Sequence, residues 1–355
     1  MTRILAAGMM TLLLVQAAEA QVEHVNQEGA TQQGSRFALA IHGGAGVKTA
    51  EEFQGQPGLE QSYRETLQAA LTAGYEVLSG SGSAVEAVEA AINVLEDSPL
   101  FNAGRGASYT RAGTVELDAS IMNGLTMRAG GVGAVRHVAN PISLARMVME
   151  DTPHVLLVGE GAVAFAQEMG VRWVPESYFY TEDKWNELIE RLENEIPYGA
   201  PRRRPQGDPG GTIDVPDYGL FETVGAVALD SHGNLAAGTS TGGRITKRPG
   251  RVGDSPIIGA STYANNEICA VSTTGLGEKH MVLLTAKEIA TLMAYRGMSV
   301  EDAANHALKE ELVALGGSGG AIVMDKHGNI AMPFTANGMY RGWVREDGVV
   351  EVRIY

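Results

Sequence analysis

The chain has 355 residues, with 42 Asp+Glu against 27 Lys+Arg and a formal net charge of −15. That acidic balance argues against binding a phosphate backbone, because nucleic-acid readers present a basic face. With 44% hydrophobic and 19% charged residues, the composition is that of a globular protein with a large core, not a disordered one.

At the N-terminus Arg3 precedes the apolar run Ile4 to Ala18, and Ala18-Glu19-Ala20 offers a small-x-small cleavage site. This is the layout of a secretory signal over residues 1–20, too short to span a bilayer stably. It predicts a secreted or periplasmic protein, free of the membrane once the signal is removed. Residues 21–35 are polar and read as an unstructured tail. Phe37 to Ile41 reads as a buried strand, followed by the turn His42-Gly43-Gly44-Ala45-Gly46. A helix is predicted from Leu59, with Tyr63, Leu67, Leu71 and Leu78 along one stripe. Another starts at Ser83, where Ser83 and Glu86 form a capping-box pattern ahead of Val85, Val88, Ile92 and Leu95. A helix over Pro141–Glu150 and a strand over His154–Val158 follow.

Ile196 to Leu220 carries five Pro and five Gly, together with Arg202-Arg203-Arg204, and breaks all periodicity. Val224–Asp230, Ser231-His232-Gly233 and Asn234–Thr239 then read as a hairpin. The layout recurs at Ala321–Asp325, Lys326-His327-Gly328 and Asn329–Phe334, with the same Asp-x-His-Gly-Asn turn. Helices over His280–Tyr295 and Ser299–Leu312 lie between the two. Grouped strands and paired helices suggest an α+β arrangement of sheets under helical layers.

Several chemistries fail on spacing. None of the eight histidines lies three or four residues from another, so zinc hydrolysis is not supported. Gly316-Gly317-Ser318-Gly319-Gly320 matches G-x-S-x-G, but a helix precedes it and a strand follows, the reverse of a nucleophile elbow. Those glycines are better explained by close backbone packing. Gly43-Gly44-Ala45-Gly46 lacks dinucleotide-binding spacing. Cys269, the single cysteine, sits in an apolar strand and reads as a small core residue. Thr223 remains, where the linker meets a strand. Cleavage of the Glu222–Thr223 bond would give it both a hydroxyl and an α-amine with a pKa of ~7.7–8, a nucleophile and base on one residue. On the residues alone, a threonine at a strand start is ordinarily structural.

The runs Thr223–Asp230, Thr239-Ser240-Thr241-Gly242-Gly243, Gly250–Pro256 and Tyr263-Ala264-Asn265-Asn266 resemble the isoaspartyl peptidase/plant-type L-asparaginase family of N-terminal-nucleophile hydrolases. The likeness extends to Ile41–Gly46, Phe101–Gly104, Gly316–Gly320 and Gly338–Gly342, and so covers nearly the whole chain after the signal.

The resemblance implies a four-layer αββα sandwich made as a precursor that cuts itself at Glu222–Thr223. An α chain (21–222, with a flexible linker over 196–222) and a β chain (223–355) would then form one folded domain. It implies Thr223 as nucleophile, Thr241 as its activator, and Thr274 with Gly275 as oxyanion hole. Arg251 would hold the substrate α-carboxylate and Asp254 the α-ammonium, with Gly277 lining the amino side and Asn102 positioning the threonine's end of the site. The implied substrates are β-aspartyl dipeptides and asparagine, with no catalytic cofactor. A structural sodium ion would sit on backbone carbonyls of Leu95, Glu96, Ser98, Phe101, Ala103 and Arg105. A dimer of αβ units is implied as well. Glu222 and Leu276 depart from the family pattern. The alternatives are a glycosylasparaginase acting on glycan-linked asparagine and a non-catalytic amino-acid-binding protein.

Overall fold

The computed structural model describes residues 37–48, 50–194 and 223–355. The expected signal peptide, the polar tail, Glu222 and the linker over 196–222 lie outside the described residues.

In chain order the elements are β1 (Ala38–Ala45), α1 (Ala50–Gly55), α2 (Leu59–Ser79), α3 (Ala84–Asp97), β2 (Leu117–Asn123), β3 (Ala129–Val135), α4 (Pro141–Asp151), β4 (Leu156–Val158), α5 (Gly159–Glu168) and α6 (Glu182–Asn194). After the linker come β5 (Val224–Leu229), β6 (Leu235–Thr241), β7 (Thr262–Asn265), β8 (Cys269–Gly275), α7 (Gly277–Leu283), α8 (Thr285–Arg296), α9 (Val300–Asn305), β9 (Gly319–Asp325), β10 (Ile330–Ala331), β11 (Met339–Arg345) and β12 (Glu351–Arg353).

Eight strands form one sheet in the order β12-β11-β1-β5-β6-β2-β3-β4, and four form a second, β10-β9-β8-β7. Strand alternation sends successive side chains to opposite faces. On β1, Leu39 and Ile41 join a core with Leu67, Leu71, Val88 and Ile92 of α2 and α3, while Ala38 and Ala40 join a second core with Val271 and Ile322 of the smaller sheet. Helices α2, α3 and α4 therefore cover one face of the large sheet, and β8 and β9 pack on the other. Helices α8 and α9 pack on the smaller sheet.

Both Asp-x-His-Gly-Asn segments make the same turn. Asp230 Oδ1 accepts the His232 and Asn234 N–H groups, and Asp325 Oδ1 accepts those of His327 and Asn329. Gly233 and Gly328 supply the left-handed residue, at φ 81° and 79°. Ser83 forms the expected capping box, its side chain accepting from Glu86 N while the Glu86 carboxylate accepts from Ser83 N. Ser83→Ala should cost about 1 kcal/mol, read as a lower urea midpoint at unchanged slope.

Four sequence expectations need correction. The helix expected over His280–Tyr295 is two, broken at Leu284, whose φ is +56°. Ala286 N and Lys287 N instead bond the carbonyls of Ala260 and Gly259, which fixes where α8 starts. The helix over Ser299–Leu312 is α9 continued by a π-helical turn, His306–Leu312. Strand β10 is only two residues long, because Pro333 has no N–H to continue the ladder. The first strand runs on through His42-Gly43-Gly44-Ala45 instead of turning there.

Candidate active site

The hairpin register builds the centre of the site. Val224 pairs with Ser240, so the residue before β5 faces the last residue of β6. Thr223 accordingly donates its hydroxyl to Thr241 Oγ1 at 3.1 Å, and Thr241 Oγ1 also accepts from Gly243 N at 2.9 Å. Asn102 fixes that loop: it donates to Gly243 O at 2.6 Å, accepts from Ser108 N at 2.7 Å, and takes Gly242 N on its own carbonyl.

Thr223 opens on a cavity of about 680 Å³ that is also lined by Asn102, Thr241, Arg251, Asp254 and Gly275. Lys184, Glu187 and Arg191 of α6 form part of its outer wall. Gly277 lies between the two charged candidates, since a Cβ there would stand 2.6 Å from Asp254 Oδ1 and 3.0 Å from Arg251 Nη2. A side chain at 277 would collide with both. Burial raises the Asp254 pKa, opposed by His280 and Arg251. Gly275 has φ +143° and no room for a side chain, its would-be Cβ 2.3 Å from Ser318 O. Thr274 is fully buried and its hydroxyl accepts from Ala45 N at 3.4 Å. The structure thus brings together Thr223, Thr241, Asn102, Arg251, Asp254, Gly275 and Gly277, with Thr274 behind them.

Sequence reasoning missed the groups that hold this set in place. His42 bridges the Thr223 carbonyl and Ser272 Oγ, both at 2.9 Å. Burial pushes its pKa down to about 3, so it is a neutral imidazole. Ser272 continues to Thr239, which also accepts from Thr262. Asp118 ties Ala134 N to Gly253 N, next to Asp254. Buried Lys247 donates to Glu116 O, and Glu116 accepts from Gly250 N, which pins the loop that carries Arg251. Glu278 accepts from Arg251 itself. The one usable signal was His42 itself, a histidine directly after the apolar run Phe37–Ile41, where a buried polar group must find a partner.

Gly225 lets His42 and Ser272 meet, because a Cβ there would lie 2.4 Å from His42 Nε2 and 2.1 Å from Ser272 Oγ. Gly225→Ala should therefore cost about 1–3 kcal/mol in stability by overpacking, measured by denaturant titration.

Of the residues that do not build the pocket, Cys269 is buried and its thiol is pushed up to about 12 by burial, so it is inert at neutral pH. Gly319 packs against Thr274 O and Gly320 against Met339, as expected of close-packing glycines.

The asparaginase family model matches residues 35–354. The chain is 45% identical over 313 residues to an isoaspartyl peptidase of Salmonella typhimurium, covering 87% of this chain and 95% of that one. It is 46% identical over 308 residues to an isoaspartyl peptidase of Escherichia coli, covering 87% and 92%. It is 42% identical over 310 residues to an isoaspartyl peptidase/L-asparaginase of Xenopus laevis, again covering 87% and 92%. Matches of that extent span both halves of the pocket, the Asn102 loop and the strands after the linker, and on that ground the chain belongs to the asparaginase family.

Proposed function

We propose that this protein is an isoaspartyl peptidase/L-asparaginase that processes itself before Thr223 and uses that threonine as its nucleophile. The observation that carries the reading is the Thr223 hydroxyl bonded to Thr241 at the mouth of a cavity whose wall pairs Arg251 with Asp254 across Gly277. An arginine and a carboxylate on either side of a glycine suit one ligand chemistry, a free α-amino acid with its carboxylate and ammonium both exposed.

The reaction follows from that orientation. With the aspartyl head held by Arg251 and Asp254, its β-carbonyl faces Thr223. The freed α-amine accepts the hydroxyl proton as Oγ attacks, and the tetrahedral oxyanion is stabilised by the Thr274 hydroxyl and Gly275 N–H. The C–N bond breaks, and ammonia or the amine leaves with a proton. Water then attacks the β-aspartyl ester, releasing aspartate and restoring Thr223. The fold that accompanies this reading is the four-layer αββα sandwich of N-terminal-nucleophile hydrolases.

A structural sodium on the carbonyls of Leu95, Glu96, Ser98, Phe101, Ala103 and Arg105 is part of the proposal. The loop fits a small hard cation held by backbone oxygens. Gly104 and Gly106 let the chain pass close to backbone carbonyls of this loop: Cβ atoms there would lie 2.4 Å from Glu96 O and 2.2 Å from Phe101 O. The carbonyls of Leu95, Phe101 and Ala103 each accept one backbone N–H, which leaves each a second lone pair. Such an ion would hold the loop that carries Asn102 and take no part in the chemistry. Export by residues 1–20 and assembly as a dimer of αβ units complete the proposal.

The test is turnover of purified protein on β-Asp-Leu, asparagine and a glycan-linked asparagine. The reading expects β-Asp-Leu and asparagine to be hydrolysed. Hydrolysis of the glycan-linked substrate alone, or saturable aspartate binding without ammonia release, contradicts it.

A further inference from the structure

Arg251 is not free to rotate in the cavity wall. Its Nε and Nη2 both donate to one oxygen, Glu278 Oε1, at 3.2 and 3.1 Å. The other carboxylate oxygen, Oε2, accepts from Arg244 Nη1 at 3.5 Å. A guanidinium has a side edge, Nε with one Nη, and an end edge, the two Nη groups. Glu278 occupies the side edge with a single oxygen, so Nη1 and the second Nη2 proton remain for a carboxylate approaching the end edge.

The surroundings supply room rather than support. A Cβ on Gly243 would lie 3.1 Å from Nη1, one on Gly253 2.7 Å from Nη1, and one on Gly277 3.0 Å from Nη2. Three glycines surround the guanidinium, and none has a side chain to hold its plane. Glu278 does that instead, from the first turn of α7 immediately after Gly277. Burial works to raise its pKa, but Arg251 and Arg244 outweigh this and hold the carboxyl below its ordinary range. Arg244 and Asp254 line the same cavity as Arg251, so groups of both signs border it, as suits a ligand that is itself a zwitterion.

We propose that Glu278 is a positioning residue that turns the end edge of Arg251 toward the substrate α-carboxylate and so sets selectivity for a free amino-acid head group. The proposal rests on the function proposed above. An arm oriented in advance loses less rotamer freedom on binding, and the gain is in affinity, not in the chemical step.

The experiment compares wild type, Glu278→Ala and Glu278→Gln on asparagine and on its α-carboxamide, with N-terminal sequencing of each protein. Glu278→Ala should still be processed at Thr223. Its KM for asparagine should rise about tenfold or more while kcat stays within about threefold, the signature of lost binding that ground and transition states share. Preference for asparagine over the α-carboxamide should fall by the same factor. Glu278→Gln keeps an acceptor oxygen for Arg251 and should fall between wild type and Glu278→Ala. An unchanged KM, a loss confined to kcat, or equal losses on acid and amide overturns the proposal. A wild type that remains uncut or hydrolyses neither substrate overturns the underlying functional reading instead, so the two failures are distinguishable.

Discussion

Thr223→Ala is expected to yield a single uncut polypeptide with no measurable release of ammonia from asparagine. On the proposed mechanism the substitution removes the atom that attacks in self-cleavage and in catalysis, so both activities should go together. The loss in turnover is expected to be on the order of 10⁴-fold or more, as when a nucleophile working as a unit with its base is deleted. The fold should survive, because Thr223 sits at the rim of β5 and its backbone carbonyl, not its side chain, is what His42 holds. Thr223→Ser keeps a hydroxyl and should still be cut. Two fragments in Thr223→Ala would show that an outside protease makes the break.

Arg251→Ala is expected to separate the pocket from the processing chemistry. Arg251 touches Glu278 and the glycine-lined wall, and none of its hydrogen bonds goes to Thr223 or Thr241. Cleavage before Thr223 should persist while kcat/KM on asparagine falls about 100-fold or more, the cost of losing a bidentate, charge-assisted contact to a buried carboxylate and leaving it unpaired. Arg251→Lys should recover little, because an ammonium cannot present two parallel donors. Steady-state kinetics on processed protein, confirmed as processed by gel, is the measurement. Unchanged turnover in Arg251→Ala would remove the carboxylate clamp from the mechanism.

The sequence carried the site's centre through local rules. The hairpin from Val224 to Thr239 was legible from alternation and its turn, and its register alone puts Thr223 beside Thr241. Strands β2 and β3 were not legible, for a reason that packing makes clear. Ala129–Val135 reads AGGVGAV, without alternation, because both faces are covered and the glycines admit close neighbours; a Cβ on Gly130 would meet Ala145 O at 2.1 Å. The helix break at Leu284 was hidden because it depends on carbonyls of the Gly259–Ala260 turn, far away in sequence.

The rim of the pocket divides in the same way. Arg251, Asp254 and Gly277 stood out only by resemblance, since nothing in their spacing announces a head-group site. The groups that steady them were invisible because their bonds span long separations: 181 residues from His42 to Thr223, and 135 from Asp118 to Gly253. Glu278 lies only 27 residues from Arg251, yet those residues cross two strands and a turn, so no helical or strand period links them.

The most direct measurement is intact mass and N-terminal sequencing of wild-type protein purified by its asparagine-hydrolysing activity. Two polypeptides are predicted, the smaller one beginning at Thr223. A fully active preparation in which residues 222 and 223 are still joined would contradict the proposed nucleophile.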